Sequence, residues 1–127
     1  MIAYDRWGRA FSERLSGDFL IVIVDQHAGE VLFIRDPLGI CPFYYASNEK
    51  RLCFATEPNT VHALSGVNAS FAANKSMNEG FVAEWLSGNV ITRSDTIFAG
   101  VQRLPPGSML RVSAGKFSVE RYWFPER

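Results

Sequence analysis

Arg35-Asp36-Pro37-Leu38-Gly39-Ile40-Cys41-Pro42-Phe43-Tyr44-Tyr45 reads as the end of one strand, a tight turn and the start of another. Asp36 is placed to accept hydrogen bonds from the turn amides, because Asp side chains bond backbone N–H groups a few residues on. Pro37 fixes its own φ, and Gly39 supplies a backbone conformation that a side chain would forbid. Arg35 closes the preceding apolar strand and is expected to pair with Asp36 or with a carboxylate across the sheet. The turn supports the fold before it suggests any chemistry.

Upstream of this turn, Phe19-Leu20-Ile21-Val22-Ile23-Val24 is apolar at both alternating sets of positions, which predicts a strand covered on both faces. Asp25 to Glu30, with Gly29, makes a turn into Val31-Leu32-Phe33-Ile34-Arg35, the second strand of an antiparallel hairpin. Downstream, Phe43-Tyr44-Tyr45-Ala46 and Arg51-Leu52-Cys53-Phe54-Ala55 pair around Ser47-Asn48-Glu49-Lys50. Four strands with short connections predict a meander. Ahead of them, Tyr4, Trp7, Phe11 and Leu15 mark one face of a helix about four turns long. Gly8 inside it costs about 1 kcal/mol against Ala, and Ser16-Gly17 ends it.

Thr56 caps a short helix, with Glu57 and Pro58 in its first turn and Gly66 beyond its end. Residues 67–75 are small and polar and read as a loop. Ser76-Met77-Asn78-Glu79 is a capping box that opens a helix. Its apolar face is Phe81, Val82, Trp85 and Leu86, and Ser87-Gly88 stops it. Leu104-Pro105-Pro106-Gly107 is a rigid turn, after which Met109-Leu110-Arg111-Val112 and Phe117-Ser118-Val119 pair across Ser113-Ala114-Gly115-Lys116. Phe43, Tyr44, Tyr45 and Phe54 read as core aromatics, and Trp85, Trp123 and Phe124 as packing residues.

Composition bounds the function. The 127 residues are 47% apolar and 20% charged, the balance of an ordinary globular domain. Thirteen basic residues face thirteen acidic ones, so charge offers nothing to nucleic acid or to an anionic membrane. The longest apolar run is far short of the roughly 20 residues of a membrane span, and Asp5, Arg6 and Trp7 stand where a signal peptide needs an apolar centre. A cytoplasmic protein is expected. Asn68 and Asn74 begin Asn-x-Ser sequons that carry no weight there.

The chemistry-bearing residues are few. Two Cys and two His without ligand spacing exclude a metal centre. Cys41 is the obvious candidate nucleophile, but an activated thiol needs a base or a positive potential, and no histidine lies near it in sequence. Cys41 and Cys53 are read as free, packed thiols, His27 as a turn residue and His62 as a helix-surface or capping residue. No catalytic, cofactor-binding or metal-binding residue is assigned, and no cofactor is expected.

Several ordered stretches together resemble the glutaminase domain of the asparagine synthase family. Leu15-Ser16-Gly17-Asp18-Phe19 with the following apolar run is similar to that family's central strand. Arg35-Asp36-Pro37-Leu38-Gly39-Ile40 with Pro42-Phe43-Tyr44-Tyr45 is similar to its most recognisable internal motif. Phe54-Ala55-Thr56-Glu57, Val82-Ala83-Glu84-Trp85-Leu86, Thr96-Ile97-Phe98-Ala99-Gly100-Val101, Leu104-Pro105-Pro106-Gly107 and Arg121-Tyr122-Trp123 follow in the family's order. The resemblance implies an α+β fold with antiparallel sheets and helices, part of an αββα N-terminal-nucleophile hydrolase sandwich. It also implies a class II glutamine amidotransferase, which releases ammonia from glutamine for an ATP-dependent synthetase domain.

The family's Met-Cys-Gly start, its Arg-containing glutamine-carboxylate segment, its Asn-Gly oxyanion pair, its Gly-Ser-Asp segment and its Ser-Gly-Gly-x-Asp loop do not occur here. The chain opens Met1-Ile2-Ala3-Tyr4. The expectation is a single partial glutaminase-like domain over residues 1–127, inactive alone. Its expected partners are a nucleophile-bearing half and a synthetase domain, or a second copy joined through open sheet edges. Two alternatives stand beside it: a non-catalytic interaction module, and the vestigial glutaminase half of a lasso-peptide cyclase or β-lactam synthetase relative.

Overall fold

Three antiparallel hairpins organise the computed structural model, which describes residues 2–48, 51–67 and 77–125. In chain order the elements are α1 Ile2–Trp7, a 3-10 helix Gly8–Arg14, β1 Leu20–Asp25, β2 Glu30–Arg35, β3 Tyr44–Ser47 and β4 Leu52–Ala55. They continue with α2 Pro58–Val67, α3 Glu79–Leu86, β5 Gln102–Arg103, β6 Ser108–Ser113 and β7 Lys116–Arg121. The class is α+β with two antiparallel sheets, ordered β1-β2-β6-β7 and β4-β3-β5. The expected meander is corrected here. β2 and β3 fall in different sheets, and β2 instead pairs with β6, from Ile34 against Met109 to Glu30 against Ser113. Hydrophobic alternation says which residues are strand, not which strand they meet.

The chain divides into two compact units, Met1–Cys41 with Pro106–Arg127, and Pro42–Pro105. The first holds the four-stranded sheet. Its core is Phe11, Leu32, Ile34 and Met109, with Ala3, Tyr4, Leu15, Ile21 and Ile23 packed around them. Burial on both faces, expected of the strand at residues 19–24, is found instead in β2 and β6, where Leu32 and Phe33, and Met109 and Leu110, are adjacent buried pairs. β1 lies at the sheet edge. Ile21 and Ile23 face the core, whereas Val24 on the alternate side is 65% exposed.

The predicted long helix is two pieces. Gly8 takes φ +54°, which an α-helix cannot hold, so α1 ends at Trp7 and a tighter 3-10 helix follows. The apolar face survives the break: Phe11 is buried, and Tyr4 meets it edge-on at 5.8 Å between ring centres. Trp7 is on the surface, with the Arg6 and Arg14 guanidiniums 5.2 and 5.1 Å from its ring centre.

The β1–β2 turn is set by Asp25, whose Oδ1 accepts the amides of His27 and Ala28 at 3.0 and 2.9 Å. The β6–β7 turn places Ala114 and Gly115 both at positive φ, 48° and 74°. A two-residue turn of that kind matches strand twist, yet alanine is a poor occupant of its first position. Ala114→Asn is expected to raise stability by about 0.5–1 kcal/mol, because Asn tolerates the left-handed region better than Ala. The urea midpoint of the variant checks it.

Glu30, which no sequence pattern picked out, is a buried carboxylate that ties three elements together. Its Oε2 accepts from Arg9 Nη2 and Arg111 Nε, each at 2.7 Å, and Tyr4 Oη lies 3.4 Å from Oε1. Burial alone would push this carboxyl up, but the hydrogen bonds and charges of Arg111 and Arg9 outweigh it and hold it below its ordinary 4.5. The same carboxylates act on Tyr4. Burial first, then the Asp25 hydrogen bond at 2.9 Å, pushes its phenol up to about 12.

A depressed carboxyl stabilises the fold above its unfolded pKa and loses that contribution as pH falls through the folded value. Glu30→Gln is therefore expected to cost about 2 kcal/mol at pH 7, less than a fully buried pair because both guanidiniums reach solvent. The gap in melting temperature between parent and variant should close as pH falls below 4.5. A gap that widens or stays constant as pH falls well below 4.5 towards the acid-unfolding limit would contradict the assignment.

The second unit is built on β3. It pairs with β4 from Tyr44 against Ala55, and with β5 at Tyr44 against Arg103. Ala46, Val61 and Val101 form its buried centre, with Tyr44, Cys53, Ala55 and Phe98 around them. α2 begins at Pro58, the position where a missing N–H costs nothing, two residues after the expected cap at Thr56, and Gly66 lies within it. α3 is capped by Asn78, whose Oδ1 accepts the Phe81 amide at 3.1 Å. Ser76, the loop at 68–75, the sequons and Glu49-Lys50 lie outside the described residues.

Phe43 and Tyr45 are buried as expected and stack at 6.2 Å, but Phe54, stacked on Phe43 at 5.8 Å, is partly exposed. Trp85 and Phe124 are also exposed, contrary to the packing expected of them.

Candidate functional site

The turn that follows β2 gathers three of the sequence landmarks within the first unit. Asp36 is fully buried, and its carboxylate accepts the amides of Ile40 at 2.8 Å and Cys41 at 3.0 Å. Its backbone carbonyl accepts two more, from Gly39 at 3.1 Å and Gly107 at 2.9 Å. Arg35 folds over the same loop, donating to the carbonyl oxygens of Gly39 at 2.6 Å and Cys41 at 2.7 Å. Tyr122 closes the arrangement by donating its hydroxyl to the Arg35 carbonyl at 2.6 Å, while Gly107 O accepts the amides of Tyr122 and Trp123.

This is a clasp. Arg35-Asp36, Gly39, Gly107 and Tyr122-Trp123, far apart in sequence, satisfy one another's backbone groups, which is what buried polar groups require. Gly39 sits at φ +71°, and a Cβ there would fall 2.7 Å from Pro106 Cγ. The turn is built to hold its shape.

The two thiols belong to different units, and both are free. Cys41 is half-buried; its backbone N–H donates to Asp36, and its carbonyl accepts from Arg35. The Cys53 sulfur lies 3.6 Å from the Ala46 carbonyl oxygen and 4.0 Å from that of Val61, and burial pushes its pKa up, opposite to what a nucleophile needs. His62 stacks on Phe98 at 4.4 Å between ring centres, with its Nδ1 buried and without a hydrogen-bond partner. His27 sits in the exposed β1–β2 turn. Among the described residues, no three His, Cys, Asp or Glu side chains gather where a metal ion could be held.

A polar cleft of about 320 Å³ opens in the second unit, lined by Ser47, Asn78, Asp95, Gly100, Val101 and Gln102. Asn78 donates to Asp95 at 3.4 Å. The wall offers one carboxylate with amide and hydroxyl groups, suited to hydrogen bonding a small polar group but not to nucleophilic attack. Its residues share no spacing, and Asn78 alone fell in a sequence motif, as an inner position of the 76–79 box whose cap was expected at Ser76. Next to it, the Thr96 hydroxyl donates to Val101 O at 2.7 Å and fixes the loop that leads into β5.

Comparison with known proteins decides the family. The family model described as a glutamine amidotransferase domain matches residues 1–123. This chain belongs to that family. The glutamine amidotransferase domain is similar to asparagine synthetase (glutamine-hydrolyzing) 3 of Bacillus subtilis, 25% identical over 95% of this chain and 19% of that protein. It is similar to a putative asparagine synthetase (glutamine-hydrolyzing) of Mycobacterium bovis, 24% identical over 98% of this chain and 19% of the relative. The amidase chry2 of Gibberella zeae is 26% identical over 84% of this chain and 14% of its own length. The amidotransferase domain thus spans about a fifth of the asparagine synthetases it matches. The resemblance carried by the turn at residues 35–45 and its companions holds along nearly the whole chain. No helix among its described residues is long and apolar enough to cross a membrane.

Proposed function

We propose that this domain is the scaffold of an asparagine-synthase-like glutamine amidotransferase with an N-terminal-nucleophile hydrolase fold. In such an enzyme the glutamine side-chain amide is hydrolysed and the ammonia passes to an ATP-dependent ligase. On this reading the chain alone does not turn over glutamine, and a nucleophile-bearing partner supplies the reacting thiol. The setting is cytoplasmic, which suits two free cysteines.

The observation that carries the reading is the state of those thiols. The family's chemistry needs a cysteine beside a base, and the Cys53 sulfur lies against the carbonyl oxygens of Ala46 and Val61, with burial pushing its thiol up, away from a thiolate. An open sheet edge such as β1, which pairs only with β2 among the described residues, supports a contact with another strand by leaving one row of backbone groups for it.

The test is direct. Purified chain incubated with glutamine is expected to yield no glutamate and no ammonia above the uncatalysed background. Turnover that disappears in Cys41→Ala would overturn the proposal.

A further inference from the structure

The β6–β7 hairpin brings two cations and two hydroxyls together. Its register sets Arg111 opposite Ser118 and Ser113 opposite Lys116. Residues two apart on a strand share a face, so all four side chains leave the sheet on the same side. Directly opposed Cβ atoms lie about 5 Å apart, and positions two apart along a strand about 7 Å. With Ala114, the four line a recess of about 250 Å³.

Their polar tips are largely unspent. Arg111 Nε donates to Glu30 Oε2 at 2.7 Å, which fixes the guanidinium, while its two Nη groups meet no acceptor among the described residues. Neither serine hydroxyl, nor the Lys116 ammonium, makes a hydrogen bond or ion pair among the described residues. The local charge is positive. Glu30, on β2 opposite Ser113, is the adjacent carboxylate, and Arg9 and Arg111 already share it. Arg9, Arg111 and Lys116 set three positive charges against that one negative charge. Asp25, farther along the same face, is taken up by Tyr4, His27 and Ala28. Glu120 lines a separate recess with Arg9 and Arg121.

We infer that Arg111, Ser113, Lys116 and Ser118 bind a phosphoryl group, as inorganic phosphate or at the end of a small phosphate ester. A planar guanidinium supplies paired donors, an ammonium a compact charge, and hydroxyls fill the remaining directions around an oxyanion. Four donors at the corners of a square suit oxygens that diverge in three dimensions better than the two coplanar oxygens of a carboxylate. Because one nitrogen of Arg111 is anchored, its side chain loses less freedom when the anion arrives. The site is independent of the reading given under Proposed function.

The test titrates the purified chain with inorganic phosphate and, separately, with glycerol phosphate, while sodium chloride holds ionic strength constant. Backbone amide NMR shifts are the readout. Expected are saturable shifts centred on residues 111–118, and a dissociation constant about tenfold weaker in Lys116→Gln. Ser118→Ala should show a smaller loss, and it carries the comparison if the first variant fails to give a folded spectrum. Tighter binding of glycerol phosphate names an ester as the ligand; otherwise the free ion is the ligand. Shifts that chloride reproduces, that fail to saturate, or that centre elsewhere overturn the inference. So does affinity unchanged by both substitutions, which leaves Lys116 as a charge guarding the edge strand β7 against pairing.

Discussion

Asp36→Asn is expected to destabilise the chain by about 3 kcal/mol, more than most substitutions of a single polar side chain. The carboxylate is fully buried and takes two backbone amides, one on each oxygen. Asparagine keeps the volume but turns one acceptor into a donor that would face an N–H group. One amide is then left buried without a partner, and a charge that favoured both hydrogen bonds is gone. Urea unfolding gives the loss directly. Tyr122 provides a second reading: burial first, then the Asp36 charge, pushes its phenol up to about 12, and that value should fall in the variant. Leu38→Ser in the same turn is the control, since Leu38 is exposed and its removal should change stability very little. Equal effects from the two substitutions would show that the clasp does not hold the turn.

Gly39→Ala is expected to cost about 2–4 kcal/mol, from two sources that add. Its φ of +71° disfavours any Cβ, and the added carbon would lie 2.7 Å from Pro106 Cγ and 3.2 Å from Arg35 Nη2. A flexible side chain end could swing away, but the proline ring is anchored to the backbone and cannot. Relief requires the 36–41 turn to move, which strains the hydrogen bonds at Asp36 as well. The loss should therefore be smaller in an Asp36→Asn background than in the parent. Independent, additive losses in the double variant would separate the two residues and refute the shared clasp.

Much of this was legible in the residues because the rules involved are local. Asp36 and Gly39 were assigned their turn roles from type and position, and both hold in the structure. The three hairpins followed from alternation and turn chemistry, and the end of α3 from Ser87-Gly88, where Gly88 takes φ +72°. What failed depended on distant partners. The unbroken apolar run at residues 19–24 matches a strand buried on both sides, but β1 lies at a sheet edge, and the double burial belongs to β2 and β6.

The apolar spacing treats Gly8 as a tolerated cost inside one helix. Its positive φ instead changes the helix type, a backbone choice that the apolar spacing does not report. Glu30 was invisible because a buried ion cluster depends on Tyr4 and Arg9 from the N-terminal segment and Arg111 from β6 arriving together. The cleft around Asp95 was missed for the same reason. Its walls are assembled by folding, with no motif to announce them.

The pairing of β2 with β6 also has a consequence in time. Glu30 and Arg111 are 81 residues apart, so on a ribosome adding about 5–20 residues per second the first hairpin waits roughly 4–16 s for its neighbour. The stretch Pro42–Pro105 is continuous and can collapse during that wait, while Leu32 and Ile34 remain wet. A nascent chain halted short of β6 is thus the form most prone to sticky encounters, and the one a holdase should recognise.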